Sequence, residues 1–345
     1  MIISPVIVVG CARSGTTLLY QLLSEVPELW SIGYESKAII ERYHHPSIKD
    51  WSSGSLDAAD LTEESRSYMT NAFIRQSAPG TYWRYVNAFR RRLGGNFFYQ
   101  SLKQYGRSNR AGSTLSSRTP QAGLNVFRFL AAFYGRQAKA RSRSIRLLEK
   151  TPENCLRLPF LQALFPDMRV IFLTRDGRAN IHSLMEGWRN PHYFPGYDVP
   201  AKVTIQDQMR GRWAFTLIPG WQDLVDRPLA EVCAYQWVRV NEAVLDYLAR
   251  PAARPVLVVS YEDLVDDPAE VLSRIEKFLK IDPQSIPAFD RGLPEVNVIT
   301  RPDQEKWRNL SVETMALIEP IITPMMVRLG YHSDESIAPV DITFS

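Results

Sequence analysis

The stretch from Val6 to Leu19 reads "VIVVGCARSGTTLL" and decides the fold. Its first four residues are β-branched and indicate a buried strand, while the apolar residues at its end have the spacing of a helix. Between them lies a turn whose glycines, Gly10 and Gly15, are five residues apart, as in the phosphate-binding loops that join a strand to a helix. Thr16 stands where such loops carry a lysine in kinases and ATPases. The stretch therefore predicts an anion site that lacks the usual lysine.

The rest of the chain repeats the order of strand, loop and helix. Short apolar runs precede helical patterns in "IRLLE", "RVIFLT" and "PVLVVS", and Pro166, Pro255 and Pro268 mark the boundaries. This alternation predicts a parallel sheet covered by helices on both faces, an α/β, three-layer fold of the P-loop type. Weaker periodicity from about residue 46 to 144 predicts a helical insertion within a single domain of residues 1–345. We expect that insertion to lie beside the sheet and to shape a substrate pocket.

The net charge of +4 conceals a segment of one sign. No Asp or Glu occurs from Ser65 to Leu148, whereas sixteen of the 41 Arg and Lys residues lie there. Such a segment indicates either a solvated cationic face or a surface that attracts an acidic partner or substrate. Interleaved aromatic residues would suit nucleic acid or sugar rings, and the core of amphipathic helices explains them equally well.

Cysteine usage and hydropathy indicate the compartment. Cys11, Cys155 and Cys233 are far apart and predict neither a disulfide framework nor a zinc site. No apolar run approaches the roughly 20 residues that span a bilayer, and Met1 leads almost directly into the first strand pattern. We therefore predict a soluble, cytoplasmic protein without a transmembrane segment, and the sequence does not indicate its oligomeric state.

The chemistry of the loop narrows the choice of anion. Its backbone amides and the start of the next helix can hold an anion, with Thr16 and Thr17 as hydroxyl donors and Arg13 as the fixed charge. No magnesium-binding acid is evident, because "RVIFLT" is followed by Arg175 before Asp176. A sulfuryl group on an adenylate carries one negative charge, so a few cationic side chains can stabilise its transfer without a metal. We predict that the loop binds the 5′-phosphosulfate of PAPS (3′-phosphoadenosine 5′-phosphosulfate).

A second basic site is needed for the 3′-phosphate of PAPS. Arg175 ends a predicted strand and Ser183 lies about two turns into the following helix, so both can face the crevice beyond the strand ends. Arginine grips a phosphate with two parallel hydrogen bonds, and serine adds a hydroxyl donor. The alternative is an ordinary turn in which Arg175 pairs with Asp176.

Five motifs, in order along the chain, resemble those of the PAPS-dependent sulfotransferases, most closely the tyrosylprotein sulfotransferase-like branch. They are "GCARSGTTLL", "LLEKTPEN", "LFPDMRVIFLTRDGRANIHSL", "YEDLVDDPAEVLSRIEKFL" and "EKWRNLS". The resemblance is spread over most of the chain except about residues 51–143. It implies transfer of a sulfuryl group from PAPS to a hydroxyl of a glycan, a tyrosine or a small molecule, with release of adenosine 3′,5′-bisphosphate and no metal.

The resemblance also implies roles for single residues. Lys306, beside Trp307, would close over the nucleotide, and Lys150 would stabilise the transition state. Arg13 would act on the leaving phosphate oxygen as well as on the donor. The residues implied for the 5′-phosphosulfate are Arg13, Ser14, Gly15, Thr16 and Thr17, and those for the 3′-phosphate are Arg175 and Ser183.

The general base is implied by the tyrosylprotein branch, in which a short acidic stretch after the first helix supplies a glutamate. Here "SIGYESKAI" offers Glu35 as the base and Lys37 as a nearby cation. A carboxylate is adequate if the site raises its pKa or if deprotonation is concerted with attack. The sequence departs from the branch in four ways. One residue is inserted between the first helix and this stretch, and Tyr34 replaces the first acid. Gly187 stands where another 3′-phosphate arginine would be, and the transition-state serine has no evident counterpart.

Several alternatives remain open at this point. His44 and His45 compete as bases, because a histidine is the base in the cytosolic sulfotransferases, although they also fit an exposed turn. A P-loop kinase would use the same loop, but the loop lysine and a magnesium acid are missing. A nucleic-acid-binding module would explain the basic segment and is disfavoured by the ordered motifs. The sequence does not name the acceptor, and the basic segment is compatible with an acidic one.

Overall fold

A six-stranded sheet forms the centre of the protein. The computed structural model describes residues 1–92, 138, 144–190, 194, 196–205, 212–283, 285–286 and 306–331. The strands of the sheet are β1 (Val6–Val9), β2 (Leu29–Ser31), β3 (Ala78–Pro79), β4 (Arg146–Lys150), β5 (Arg169–Thr174) and β8 (Val256–Ser260), in the spatial order β3-β2-β4-β1-β5-β8. A separate antiparallel pair consists of β6 (Gly196–Tyr197) and β7 (Trp213–Ala214).

Helices cover the sheet. In the part of the chain that the structure describes they are α1 (Thr16–Ser24), α2 (Lys37–His44), α3 (Glu63–Gln76), α4 (Gly80–Arg92), α5 (Leu158–Leu164), α6 (Gly177–Trp188), α7 (Leu229–Leu248), α8 (Tyr261–Asp266), α9 (Pro268–Leu279) and α10 (Val312–Arg328). None of these helices is long and apolar enough to cross a membrane.

Two apolar cores lie on opposite faces of the sheet because successive side chains of a strand alternate in direction. Val6 and Val8 pack with α1, α8 and α9 on one face. Ile7 and Val9 pack with α2, α3, α5, α6, α7 and α10 on the other. All four residues of β1 are fully buried, as expected for a strand of a sheet that is covered on both sides. The predicted α/β, three-layer fold is confirmed.

The sheet differs from the prediction at one edge. The sequence patterns identify β1, β4, β5 and β8 but not β2 or β3, which are three and two residues long. The strand β3 pairs antiparallel with β2, so the sheet is mostly rather than wholly parallel. Pro79 in β3 is compatible with an edge position, where a missing amide donor breaks no ladder.

The predicted insertion is described only in part. Its described residues include α3, α4 and β3, so it contributes two helices and an edge strand. Residues 93–143, apart from 138, lie outside the described residues, and most of the basic segment lies with them. That residues 1–345 form a single domain stays a prediction.

The strand order creates a crevice beside β1. Strands β1 and β5 are parallel neighbours, so their carboxyl ends lie side by side. The helix after β1, α1, packs on one face, and the helix after β5, α6, packs on the other. Loops that leave adjacent strands toward opposite faces open a crevice in which α/β proteins bind ligands.

Candidate active site

The loop between β1 and α1 is held in one conformation by its surroundings. Gly15 has φ 97°, and a Cβ there would lie 2.4 Å from Cδ2 of Tyr261, so backbone and space both require glycine. Arg13 also has a positive φ, 71°, which is uncommon for a residue with a side chain and is concentrated at functional sites. Beneath the loop, the Gly10 amide donates to Sγ of Cys155 at 3.2 Å.

The hydroxyl groups of the loop include one that lacks a partner. Ser14 is 1% exposed, and its Oγ makes no hydrogen bond within the described residues. A Cβ added to Gly10 would lie 2.8 Å from this atom, so the hydroxyl is next to the backbone of the loop. An unpaired buried hydroxyl is costly, and a ligand oxygen would relieve that cost. Ser14 therefore fits an anion site.

Three predicted site residues connect the loop with α6 and with the segment that precedes it. Nη1 of Arg175 donates to the carbonyl oxygen of Arg13 at 2.8 Å, and Nε of Arg13 donates to Oγ of Ser183 at 3.2 Å. The guanidinium of Arg175 also lies 4.4 Å from the centre of the Tyr261 ring, while its buried Nε has no partner among the described residues. The structure thus brings together the residues predicted for the two phosphates of the donor.

An ion pair lies on the other side of the loop. Nζ of Lys150, at the end of β4, donates to Oε1 of Glu35 at 2.7 Å and to Oγ1 of Thr17 at 3.2 Å. The Lys150 side chain is 5% exposed and the Glu35 side chain is 45% exposed. The ammonium is therefore fixed between the loop and a carboxylate that solvent or a substrate can reach.

Lys37, the cation that the sequence pairs with Glu35, has other partners. Its Nζ lies 3.3 Å from Oε1 of Glu153 and 3.5 Å from the centre of the Tyr197 ring. The cation that contacts Glu35 is Lys150.

A cavity of about 310 Å³ opens beside the ion pair. Its walls combine three aromatic side chains with neutral polar ones, and Lys150 is the only cation among its described lining residues. Two of the lining residues, Trp83 and Asn87, belong to α4, which lies within the range predicted as an insertion. The remaining lining residues are Thr17, Tyr20, Gln21, Ser24, Gly33, Tyr34, Glu35 and Lys150.

The competing histidines lie elsewhere. Nδ1 of His45 accepts from the Ser47 amide and so caps the 3₁₀ turn Pro46–Lys49. The ring of His44 packs edge-on against Phe160, with ring centres 4.9 Å apart. Neither histidine lines the cavity beside Lys150.

The burial of His44 predicts a pH dependence of stability. Burial lowers the pKa of His44 below its ordinary value of 6.5, and Nε2 is buried without a partner among the described residues. As pH falls, His44 is therefore protonated in the unfolded chain before it is protonated in the folded protein. The free energy of unfolding is highest above pH 6.5 and decreases below it. We expect the Tm of the His44→Leu variant to fall less than that of the wild type between about pH 7 and pH 5. An identical fall in both proteins would contradict this account.

The sequence also matches a family model. The model described as "Sulfotransferase family" matches residues 5–285, which contain the loop, β4, β5, α6 and β8. The protein belongs to the sulfotransferase family. Membership supports sulfuryl transfer as its general reaction, and the tyrosylprotein sulfotransferase-like branch stays a prediction.

Solved sulfotransferase structures are similar to this sulfotransferase at low identity. The sulfotransferase domain of the Synechococcus PCC 7002 olefin synthase is 19% identical over 92% of this chain and 93% of that chain, with a TM-score of 0.39. A sulfotransferase from Mycobacterium avium is 16% identical over 94% and 76%, with a TM-score of 0.43. A mouse sulfotransferase complexed with PAP (adenosine 3′,5′-bisphosphate) is 11% identical over 94% of this chain and 84% of that chain, with a TM-score of 0.41. A comparison with curated proteins returned no match.

The C-terminal lysine motif of the sulfotransferase lies near the start of α6. Lys306 begins the 3₁₀ turn Lys306–Asn309. In that turn, the Trp307 ring stacks on the Arg178 guanidinium, 4.0 Å from the ring centre, and Arg178 is also paired with Asp176. This contact holds the segment that carries Lys306 beside the helix that carries Ser183.

Two residues near the loop escape sequence reasoning. The ring of Tyr261 contacts both Gly15 and Arg175. Tyr20 lines the cavity, and its hydroxyl oxygen accepts a hydrogen bond from the Gly33 amide at 3.0 Å. Its position directly after β8 could have predicted that Tyr261 lies near the loop, because the carboxyl ends of parallel strands share one edge of the sheet. Tyr20 looks like an ordinary apolar position of α1, and no local signal separates it from the core.

Proposed function

We propose that this sulfotransferase moves the sulfuryl group of PAPS to the hydroxyl group of an acceptor and releases adenosine 3′,5′-bisphosphate. One observation carries the proposal: Nζ of Lys150 and Oε1 of Glu35 are 2.7 Å apart beside the loop between β1 and α1, and both residues line the same cavity. A cation that can meet the transferred group is thus next to a carboxylate that can take a proton from the acceptor.

Buried polar atoms without partners support an anionic donor at the loop. Oγ of Ser14 and Nε of Arg175 lack hydrogen bonds within the described residues, and both would gain them from phosphate or sulfate oxygens. When bound, PAPS supplies an activated sulfuryl group. The residues that would hold it are Arg13, Ser14, Gly15, Thr16 and Thr17 at the 5′-phosphosulfate, Arg175 and Ser183 at the 3′-phosphate, and Lys306 over the nucleotide.

The acceptor would enter the cavity between α1 and α4. Glu35 would accept its hydroxyl proton, Lys150 would stabilise negative charge on the transferred group, and Arg13 would stabilise the leaving phosphate oxygen. We include glycan, tyrosine and small-molecule hydroxyls as acceptors. Attraction of an acidic acceptor would come from the basic segment rather than from the described walls, where Lys150 is the only cation.

The tyrosylprotein-like branch is part of the proposal. Its support is Glu35, which stands after the first helix as that branch's base does, and which contacts the proposed transition-state lysine. His44 and His45, the alternative bases, lie outside the cavity lining.

Two measurements test the proposed function. Incubation with radiolabelled PAPS and fractions of a cell extract is expected to give a labelled product, which then identifies the acceptor. Titration is expected to show tight binding of adenosine 3′,5′-bisphosphate without magnesium. Magnesium-dependent ATP binding without bisphosphate binding would favour a kinase, and a steeply salt-dependent affinity for nucleic acid that the bisphosphate does not affect would favour a nucleic-acid-binding module.

The 3′-phosphate site predicts a ligand-specific loss of affinity. We expect Ser183→Ala to lower the affinity for adenosine 3′,5′-bisphosphate about 10- to 100-fold, the usual effect of losing a hydrogen bond to a charged group. The affinity for adenosine 5′-phosphosulfate should change much less. Only the first ligand has a 3′-phosphate, whereas the second is affected only indirectly, through the lost bond from Nε of Arg13 to Ser183. Isothermal titration of both ligands measures the difference.

Arg175→Ala is expected to lower the affinity for both ligands, because Arg175 also donates to the Arg13 carbonyl and so holds the backbone of the loop. Arg189→Ala, which removes an exposed charge at the C-terminal end of α6, is the matched control and should change neither affinity. Equal losses for the two ligands in Ser183→Ala would refute the assignment.

A further inference from the structure

A buried polar cluster lies beside the Glu35–Lys150 pair and outside the cavity lining. At its centre is Glu149, which is 1% exposed. Its Oε1 accepts from Oγ of Ser36 at 2.5 Å and from Oγ1 of Thr151 at 2.6 Å, and its Oε2 accepts from Nδ2 of Asn154 at 2.5 Å. The Ser36 amide also donates to Oγ1 of Thr151 at 2.8 Å. Four side chains thus form one network, in which only Oδ1 of Asn154 lacks a partner among the described residues.

The network joins the two segments that carry the proposed base and the proposed transition-state cation. Ser36 follows Glu35 directly, and Glu149 and Thr151 flank Lys150. Ser36 also precedes α2 as its N-cap residue, yet its side chain makes no capping bond, and its hydroxyl instead lies against Glu149, to which it donates. The helix start gives up a stabilising contact worth about 1 kcal/mol in other proteins, in favour of the link to β4.

A buried carboxylate is expensive in this position. Burial raises the pKa of Glu149, while its three donors and the nearby Lys150 oppose that rise. A neutral apolar residue on β4 would pack against the core without such a desolvation cost. Glu149 does not line the cavity, so its desolvation cost is better explained by a role in fixing the segments that it connects.

We propose that Glu149 is a positioning residue, which ties the Glu35 segment to the end of β4 and thereby keeps Glu35 and Lys150 at contact distance for catalysis. The inference rests on the proposed function, since it assigns those two residues to the chemistry. Adjacent side chains of a strand point to opposite faces, so Glu149 can act behind Lys150 without reaching the substrate.

The variant Glu149→Gln tests the role with little change in shape. Its neutral amide oxygen accepts more weakly than a carboxylate, so the bonds from Ser36 and Thr151 lose their charge assistance. The link to Asn154 is kept only if that amide turns over and presents Oδ1, which is buried without a partner among the described residues. We expect kcat to fall about 10- to 100-fold, because displacement of a catalytic group by about 1 Å costs up to that much. Affinity for adenosine 3′,5′-bisphosphate should stay within about twofold, because Glu149 does not touch the loop.

A compensating exchange separates positioning from loss of the charge itself. In the double variant Glu149→Gln with Asn154→Asp, the glutamine oxygen can accept from Ser36 and Thr151, and its nitrogen can donate to the new aspartate. All of the original hydrogen bonds are then restored, except that residue 149 donates to residue 154 instead of accepting from it. We expect this exchange to recover most of the lost kcat.

Two further variants control for a merely structural effect. Glu41→Gln makes the same chemical change in another buried network, where Glu41 accepts from Arg157 and Tyr197, and should leave kcat nearly unchanged. In a Glu35→Gln background, Glu149→Gln should lower kcat by less than about threefold further, because residues that act as one unit are not additive.

The outcomes distinguish this inference from the proposed function. Full activity of Glu35→Gln would overturn the assigned base and hence the proposed mechanism. Loss of activity in Glu35→Gln together with normal kcat in Glu149→Gln would overturn only the positioning role. A crystal structure of Glu149→Gln gives a readout without turnover: a Glu35–Lys150 distance still at 2.7 Å would also overturn it.

Discussion

Glu35→Gln is expected to lower kcat by about 10²- to 10⁴-fold while leaving the affinity for adenosine 3′,5′-bisphosphate almost unchanged. The change keeps the shape of the side chain and removes its ability to accept a proton. Glu35 lines the cavity and contacts Lys150, so it is the described carboxylate best placed to meet an acceptor hydroxyl next to the loop. Steady-state kinetics and bisphosphate titration measure the two effects separately.

The histidines provide the contrast for this experiment. His44→Ala and His45→Ala should retain turnover, because neither residue lines the cavity beside Lys150. An active Glu35→Gln variant combined with an inactive histidine variant would point to the mechanism of the histidine-based enzymes. A small-molecule acceptor would then be the better hypothesis.

Lys150→Ala is expected to lower kcat by at least ~10²-fold, as for other groups that stabilise charge developing in a transition state. The Lys150 side chain is 5% exposed, so water does not substitute for it easily, and its ammonium is fixed by Glu35 and Thr17 beside the loop. Binding of the bisphosphate, which lacks the sulfuryl group, should change little. Pre-steady-state measurement of the transfer step checks that the chemistry itself is slowed.

Arg13→Ala serves as the comparison for Lys150→Ala. We expect a similar loss of kcat, accompanied by weaker bisphosphate binding, because Arg13 lies in the loop and its Nε contacts Ser183. A Lys150→Ala variant with near-normal turnover would remove Lys150 from the mechanism, whatever Arg13→Ala shows.

Local patterns in the sequence were sufficient for the central strands and the loop. The β-branched run Val6–Val9 and the glycines of the loop determine a strand and a turn from short-range sterics alone. The spacing of apolar residues then determines α1 in the same way, because helix periodicity is a property of contiguous residues. The α/β class followed from repetition of this unit.

Tertiary structure decided which distant residues meet. Glu35 and Lys150 are 115 residues apart, and the pairing of β2 with β4, together with the hydrogen bonds from Ser36 to Glu149 and Thr151, brings their segments together. No local pattern assigned Glu35 to Lys150 rather than to Lys37, which lies two positions away in the chain and contacts Glu153 instead.

The sequence by itself thus determined the strand–loop–helix units and the residue types available at their carboxyl ends, because these depend on neighbours along the chain. The order of the strands, the antiparallel edge strand β3, the cavity wall from α4 and the network around Glu149 depended on packing between remote segments. Burial and hydrogen bonding across such distances are properties of the folded chain, since the cost of an unpaired buried group arises only when the fold excludes water from it.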